Sequence, residues 1–277
     1  MELQQLLAET AQRKASDLHL KSGSKPILRI HGHLEVQEDL PLITREFIDK
    51  TAEGLLGERR LRMLMEGREM DLGYMLPGVG RFRCNLFLAM GEVRGVFRHV
   101  PERIPPFQEL HLPKVLERLS MERRGMLLVT GITGSGKSTT LASMIDFMNR
   151  SRNDHIVTIE DPVEFVHQDK KCVMSQREIG HDSMNFAQAL RAALREDPDI
   201  MLVGELRDVE TMEVGLHAAE TGHLVMSTLH TLNAAETINR MISMFPPHQE
   251  EQIRGQLASV IQGIVSQRRV VRADGRG

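Results

Sequence analysis

The sequence predicts an α/β chain of two domains, the second built on a mostly parallel sheet and the first a smaller α+β unit. Three observations carry that reading. Residues 101–113 hold four prolines, Pro101, Pro105, Pro106 and Pro113, in thirteen residues and divide the chain. Beyond them, short apolar runs alternate with helical patterns, as in a parallel sheet covered by helices. Between the first of those runs, Met126 to Thr130, and the first of those helices lies Gly131-Ile132-Thr133-Gly134-Ser135-Gly136-Lys137-Ser138-Thr139, a loop of the form G-x-x-x-x-G-K-[ST]. A length of 277 residues also exceeds the usual size of one domain.

Leu3, Leu6, Leu7 and Ala11 recur at helical spacing, and Ser16-Asp17 closes that first helix. Strands are expected at 17–20, 26–30 and around His33-Leu34, then a helical region from Thr44 to Met65. A hairpin follows: residues 81–88, a turn at Met90-Gly91, and a return over 93–100. Phe82, Cys84, Leu86 and Leu88 share one face of its first strand, and Arg81, Arg83 and Asn85 the other. The proline-dense segment reads as a semi-rigid linker, which gives domains over 1–100 and 114–277. In the second domain strands are expected at 126–130, 155–160, 172–176, 200–204 and 223–228. Helices are expected at 137–149, 185–196, 208–220, 234–244 and 248–265.

Composition narrows the function classes. A hydrophobic fraction of 41% supports a real core, and a formal net charge of −3 gives no general electrostatic case for nucleic acid as a partner. Cys84 and Cys172 stand alone in apolar runs and read as buried free thiols, and no C-x-x-C pair offers a zinc site. Glu2 lies where a secretory signal needs basic residues, and no apolar run approaches the ~18 residues of a membrane span. The expectation is a cytoplasmic chain without direct membrane insertion, meeting the inner membrane only through partners.

The glycine-rich loop carries the chemistry. Glycines let backbone N–H groups turn inward onto phosphate oxygens, and the following helix points its positive end at the same spot. Gly131, Thr133, Gly134, Ser135, Gly136 and Thr139 are thus candidate ATP contacts. Lys137 reaches the β- and γ-phosphates, and the Ser138 hydroxyl ligates Mg²⁺. Hydrolysis further needs a carboxylate for the water and positive charge for the transition state. Glu205 follows the apolar run at 200–203 and is the natural water-activating base. Gly204 stands where an aspartate usually helps hold the metal. Glu160, Asp161 and Glu164 end another strand and are suited to holding Mg²⁺ through water. His223 and His230 flank the strand at 223–228; a lone histidine most often is structural, and His230, at the ligand-facing end, is the better candidate for sensing the γ-phosphate.

These boxes occur in a known order: the loop at 131–139, Ile-Glu-Asp-Pro-Val-Glu-Phe at 159–165, Gly-Glu-Leu-Arg-Asp at 204–208, and Thr-Gly-His to Thr-Leu-His at 221–230. They resemble the Walker A, Asp, Walker B and His boxes of the type II/type IV secretion ATPases, and within that family the type IV pilus retraction ATPases. Ala15 to Leu20 and Gly80 to Arg83 share the likeness, which runs over nearly the whole chain. The resemblance implies a RecA-like ATPase domain behind a PAS-like N-terminal domain, a homohexameric ring, ATP and Mg²⁺ as cofactors, and an inner-membrane pilus platform protein with the pilus machinery as partners. It implies catalytic roles for Glu205, Glu164 and His230, and nucleotide contact for His223. It also makes Arg83 and Arg98 candidate catalytic arginines, with Arg81 and Arg94 beside the nucleotide; a solvated strand face is the alternative for each. Extension and type II secretion ATPases are disfavoured because they generally carry a four-cysteine zinc insert. A GTPase lacks support without an Asn-Lys-x-Asp motif, and Glu205 argues against a non-hydrolysing assembly subunit. Family members continue past Gly277 with further helices, so the ATPase domain is expected to be truncated here.

Overall fold

The structure is a computed structural model that describes residues 2–100 and 103–270. The chain forms two compact units that divide between Glu102 and Arg103.

The N-terminal unit is one antiparallel sheet with helices on one face. Helix α1 (Leu3–Gln12) opens with a capping box between Glu2 and Gln5, which satisfies otherwise orphaned N–H groups. Helix α2 (Arg45–Met65) starts where the Thr44 side chain accepts the Phe47 N–H, and it breaks at Gly57, whose φ of 65° no helix accommodates. The strands are β1 (Asp17–Leu20), β2 (Ile27–Ile30), β3 (His33–Val36), β4 (Met70–Leu76), β5 (Gly80–Ala89) and β6 (Glu92–Val100), in the order β3-β2-β1-β6-β5-β4. Strand β4 was not expected from the sequence, although Met70, Leu72, Tyr74 and Leu76 alternate along it and pair with β5. Leu3, Leu6 and Leu7 of α1 and Ile48 and Ala52 of α2 pack on Leu18, Leu28, Phe82, Cys84, Leu86 and Phe97. The opposite sheet face carries Arg81, Arg83, Arg94 and Arg98.

The second unit is an all-parallel sheet between two helix layers. Its strands are β7 (Gly125–Thr130), β8 (His155–Glu160), β9 (Val173–Glu178), β10 (Ile200–Val203), β11 (Leu224–Leu229) and β12 (Ile261–Ser266), in the order β12-β7-β11-β10-β8-β9. Helices α3 (Val115–Ser120) and α4 (Lys137–Ser151) cover one face. Helices α5 (Phe186–Ala193), α6 (Val209–Glu220), α7 (Ala234–Ile242) and α8 (Glu250–Val260) cover the other. Asn185, Asp208 and Asn233 cap α5, α6 and α7 by accepting N–H groups in the first turn.

Two expectations are corrected. The helix over 248–265 ends at Val260, and Ile261, Ile264 and Val265 continue as β12, which pairs with β7 and covers a ladder that would otherwise be an open edge. β-Branched residues suit that pleated position better than a helix. The linker reading of 101–113 fails from Arg103 onward. Phe107 is buried with Leu116, Leu141 and Met144, its ring lies 5.2 Å from that of Phe147, and Ser143 Oγ donates to the Pro105 carbonyl at 2.9 Å. The prolines exclude regular structure but not packing. The expected truncation concerns the end of the chain, where Val271 to Gly277 lie outside the described residues.

Phe107→Ala should therefore destabilise the second unit by about 3–5 kcal/mol, as truncation of a packed aromatic does. Chemical denaturation checks this, and an unchanged unfolding midpoint would restore the free-spacer reading.

Candidate nucleotide site

All strands of the second unit run the same way, so their C-terminal ends share one sheet edge. Thr130 pairs with Leu229, Ser227 with Val203, and Val203 with Ile159. That register brings the glycine-rich loop, the acidic turn after β8, Glu205 and His230 to the same edge, where open α/β sheets bind ligands.

The loop is built on strained glycines. Gly134 and Gly136 have φ of 77° and 93°, values that L side chains rarely adopt, and Gly136 directly precedes α4. Gly131, at φ 144°, admits no side chain, because a Cβ there would meet the Gln267 carbonyl and lie 2.7 Å from Ser135 Oγ. No side chain caps α4, which leaves its first N–H groups to the loop's interior. Lys137 is 9% exposed, and its Nζ donates to the Gly131 carbonyl at 2.8 Å and the Ile132 carbonyl at 3.2 Å. Burial lowers its pKa, while the charges of Glu164 and Glu205 oppose the shift. Ser138 and Thr133 are exposed, and Thr139 is half-buried. Ser135 Oγ is buried without a hydrogen-bond partner among the described residues.

The acidic turn is clamped from β9. Glu178 accepts the Val163 N–H at 3.1 Å, and Gln176 donates to the Phe165 carbonyl at 2.8 Å. Glu160 accepts from Thr158 Oγ1 at 2.8 Å and from Gln176 at 3.3 Å, and burial pushes its carboxyl up to about 7. Across the edge, the Glu205 side chain is 14% exposed, paired with Arg207, and 4.0 Å from His230 Nε2. Two carboxylates, a lysine and a hydroxyl thus face one phosphate-sized loop. Among the described residues no cluster of three or more His, Cys, Asp or Glu side chains is arranged to hold a metal by itself. The exposed Ser138 hydroxyl beside the acidic turn has the oxygen chemistry that Mg²⁺ takes from a protein, one or two ligands with phosphates and water completing the shell.

His223 stands at the opposite end of the strand from His230. It lies at the N-terminal end of β11, about 20 Å of strand from His230, with Nδ1 3.0 Å from the Ala218 carbonyl at the end of α6. Within this subunit it joins α6 to β11 and does not reach the loop.

The four arginines sit in the N-terminal unit. Arg83 lies directly opposite Arg98 in the β5–β6 ladder, 3.7 Å from Asp71. Arg98 Nε donates to the buried Asp17 at 2.8 Å. Arg81 lies across Gly73, where a Cβ would collide with its guanidinium. Arg94 Nε is buried without a hydrogen-bond partner among the described residues.

A profile of the type II/IV secretion system proteins matches residues 106–275, the unit that holds this edge. The chain belongs to the type II/IV secretion system protein family. It is 45% identical over 267 residues to the type IV pilus retraction ATPase PilT of Pseudomonas aeruginosa, covering 96% of this chain and 77% of that one. A twitching motility protein of Neisseria gonorrhoeae is 42% identical over 252 residues, covering 91% and 67%. The crystal structure of the pilus retraction motor PilT with bound ADP superposes at a TM-score of 0.93 and 44% identity, over 99% of this chain and 80% of that one. Among the described residues no helix is long and apolar enough to cross a membrane.

Sequence reasoning about this family member missed three groups. Arg207 pairs with Glu205 from only two positions away, a spacing with no recognised signal. Arg269 follows β12, and its Nη1 lies 3.8 Å from where a Gly134 Cβ would sit; the helical reading of 248–265 hid it. His167, beyond the acidic turn, is buried, and burial holds its imidazole down to about 4. An unfolded histidine takes up its proton near 6.5, so folding stability present above that value is lost as pH falls toward about 4, by up to roughly 3 kcal/mol. His167→Phe removes that loss. Between neutrality and pH 4.5, its unfolding free energy in urea should fall less than that of the unaltered protein. Equal falls would mean that the ring is not held neutral by burial.

Proposed function

We propose that this chain is an ATP-hydrolysing motor that drives retraction of type IV pili, working as a homohexamer on an inner-membrane platform protein from the cytoplasmic side. The observation that carries the reading is the convergence of Lys137, Ser138, Glu164, Glu205 and His230 on one sheet edge, in a fold shared with an ADP-bound retraction motor.

In this reading the loop from Gly131 to Thr139 wraps the triphosphate with backbone N–H groups. Lys137 exchanges the carbonyls of Gly131 and Ile132 for the β- and γ-phosphate oxygens. Ser138 would ligate Mg²⁺ and Glu164 would hold it through water, and the ion when bound would supply positive charge for the phosphate oxygens. Glu205 orients the attacking water and takes its proton, held in place by Arg207 and flanked by His230, which contacts the γ-phosphate. Arg83 and Arg98, with Arg81 and Arg94, supply positive charge to the triphosphate in the assembled ring, where an arginine is worth orders of magnitude in rate.

One set of assays tests the chemistry. Lys137→Ala should abolish nucleotide binding. Glu205→Gln should bind ATP with near-normal affinity and not turn over, and Arg98→Ala should bind but hydrolyse slowly. Near-normal hydrolysis by the Gln variant would remove Glu205 as the base, and by the Arg98 variant would return that residue to a structural partner of Asp17.

The direction of work is tested in cells. Deleting the gene should leave surface pili present or in excess and abolish surface motility. Bald cells would overturn retraction in favour of an extension motor.

A further inference from the structure

Behind the phosphate loop lies a cavity of about 50 Å³, lined by Ser138, Glu160, His167, Gly204 and Thr228 among apolar walls. We propose that His167 is a positioning residue for the magnesium side of this site: through water bound in that cavity, its Nδ1 fixes the Glu160 carboxylate beside Ser138. The inference rests on the ATP-binding reading above and extends it to His167, which lies outside the boxes named in the sequence.

The geometry supplies the reasons. His167 is 9% exposed, and its Nδ1 is buried with no hydrogen-bond partner among the described residues. Leaving such a nitrogen unsatisfied is unfavourable, and a bound water removes that cost. A cavity holds water when it has room for at least a probe sphere of about 10–15 Å³ and offers two or more polar partners. Here the partners are at hand. Glu160 Oε1 accepts from Thr158 and Gln176, whereas among the described residues Oε2 has the Glu164 N–H at 3.4 Å. Thr228 donates to the Gly204 carbonyl at 2.7 Å and retains its acceptor.

Gly204 and Glu160 line the same cavity, and a Cβ on Gly204 would lie 3.6 Å from Glu160 Cα. Gln176 already ties the two residues together, accepting the His167 N–H at 2.6 Å while donating to Glu160. Burial keeps the imidazole neutral, so it presents one donor and one acceptor nitrogen rather than a charge.

The test uses the full chain, a fluorescent ATP analogue and a MgCl₂ titration. His167→Phe should leave affinity without Mg²⁺ unchanged and raise the Mg²⁺ concentration for half-maximal tightening by about tenfold, the scale of an outer-shell loss. His167→Asn, whose amide reaches the place of Nδ1, should stay within about twofold of the unaltered protein. An unchanged Mg²⁺ requirement in the Phe variant overturns the inference, as does an Asn variant that behaves like Phe. If the unaltered protein does not bind the analogue, the ATP reading falls and this inference with it; binding with no Mg²⁺ dependence overturns this inference alone. Should the Phe variant not fold, a high-resolution crystal structure of the unaltered protein decides: water within hydrogen-bond reach of both Nδ1 and Glu160 supports the proposal, and its absence overturns it.

Discussion

The parallel ladder through β7, β11, β10 and β8 is the constraint on which the rest of the molecule depends. Parallel strands expose all their C-terminal ends at one edge, so residues separated by long stretches of chain arrive together without any contact between their helices. Lys137 follows β7, Glu164 follows β8, Glu205 follows β10 and His230 follows β11. A shift of one residue in any pairing would move each side chain to the other helix layer. The apolar runs at Leu127 to Val129 and Leu224 to Met226 are buried on both faces.

The loop on that edge is prepared by neighbours that have no phosphate chemistry of their own. Strand β12 flanks β7, and the Gln267 N–H donates to the Thr130 carbonyl at 2.8 Å while its side chain donates to Thr140 of α4 at 2.7 Å. The loop is thereby fixed at its start and at the first turn of its helix. Lys137, a buried cation, keeps two loop carbonyls as acceptors, so a phosphate has to replace hydrogen bonds rather than create order from a free side chain. Burying a cation is costly without partners, and the nearby charges of Glu164 and Glu205 offset part of that cost.

The N-terminal unit divides its sheet between packing and charge. Alternation along β5 and β6 sends Phe82, Cys84, Leu86 and Phe97 to the helices and Arg81, Arg83, Arg94 and Arg98 to the other face. Arg98 bonds Asp17 and Arg83 lies near Asp71. Asp17 is also 3.8 Å from Arg29, so one buried carboxylate serves two guanidinium groups and orders the cationic face.

The sequence by itself determined the class of fold, the phosphate loop and most of the residues at the strand ends, because these depend on local pattern. Glycine spacing, apolar runs and the period-2 alternation of the hairpin are visible without any tertiary contact. Tertiary structure decided what local pattern leaves open. Residues 261–266 are a strand only because β7 offers a partner ladder, and Phe107 is core only because α4 presents Phe147. The same holds for the site. The sequence already set His223 and His230 at opposite ends of one strand, and folding adds that His223 bonds the end of α6 while His230 lies 4.0 Å from Glu205. Arg269 and His167 gain their places from folding of segments that carry no motif, and Arg207, although it lies in the 204–208 box, shows its pairing with Glu205 only in the folded chain. Burial and proximity are properties of the packed chain.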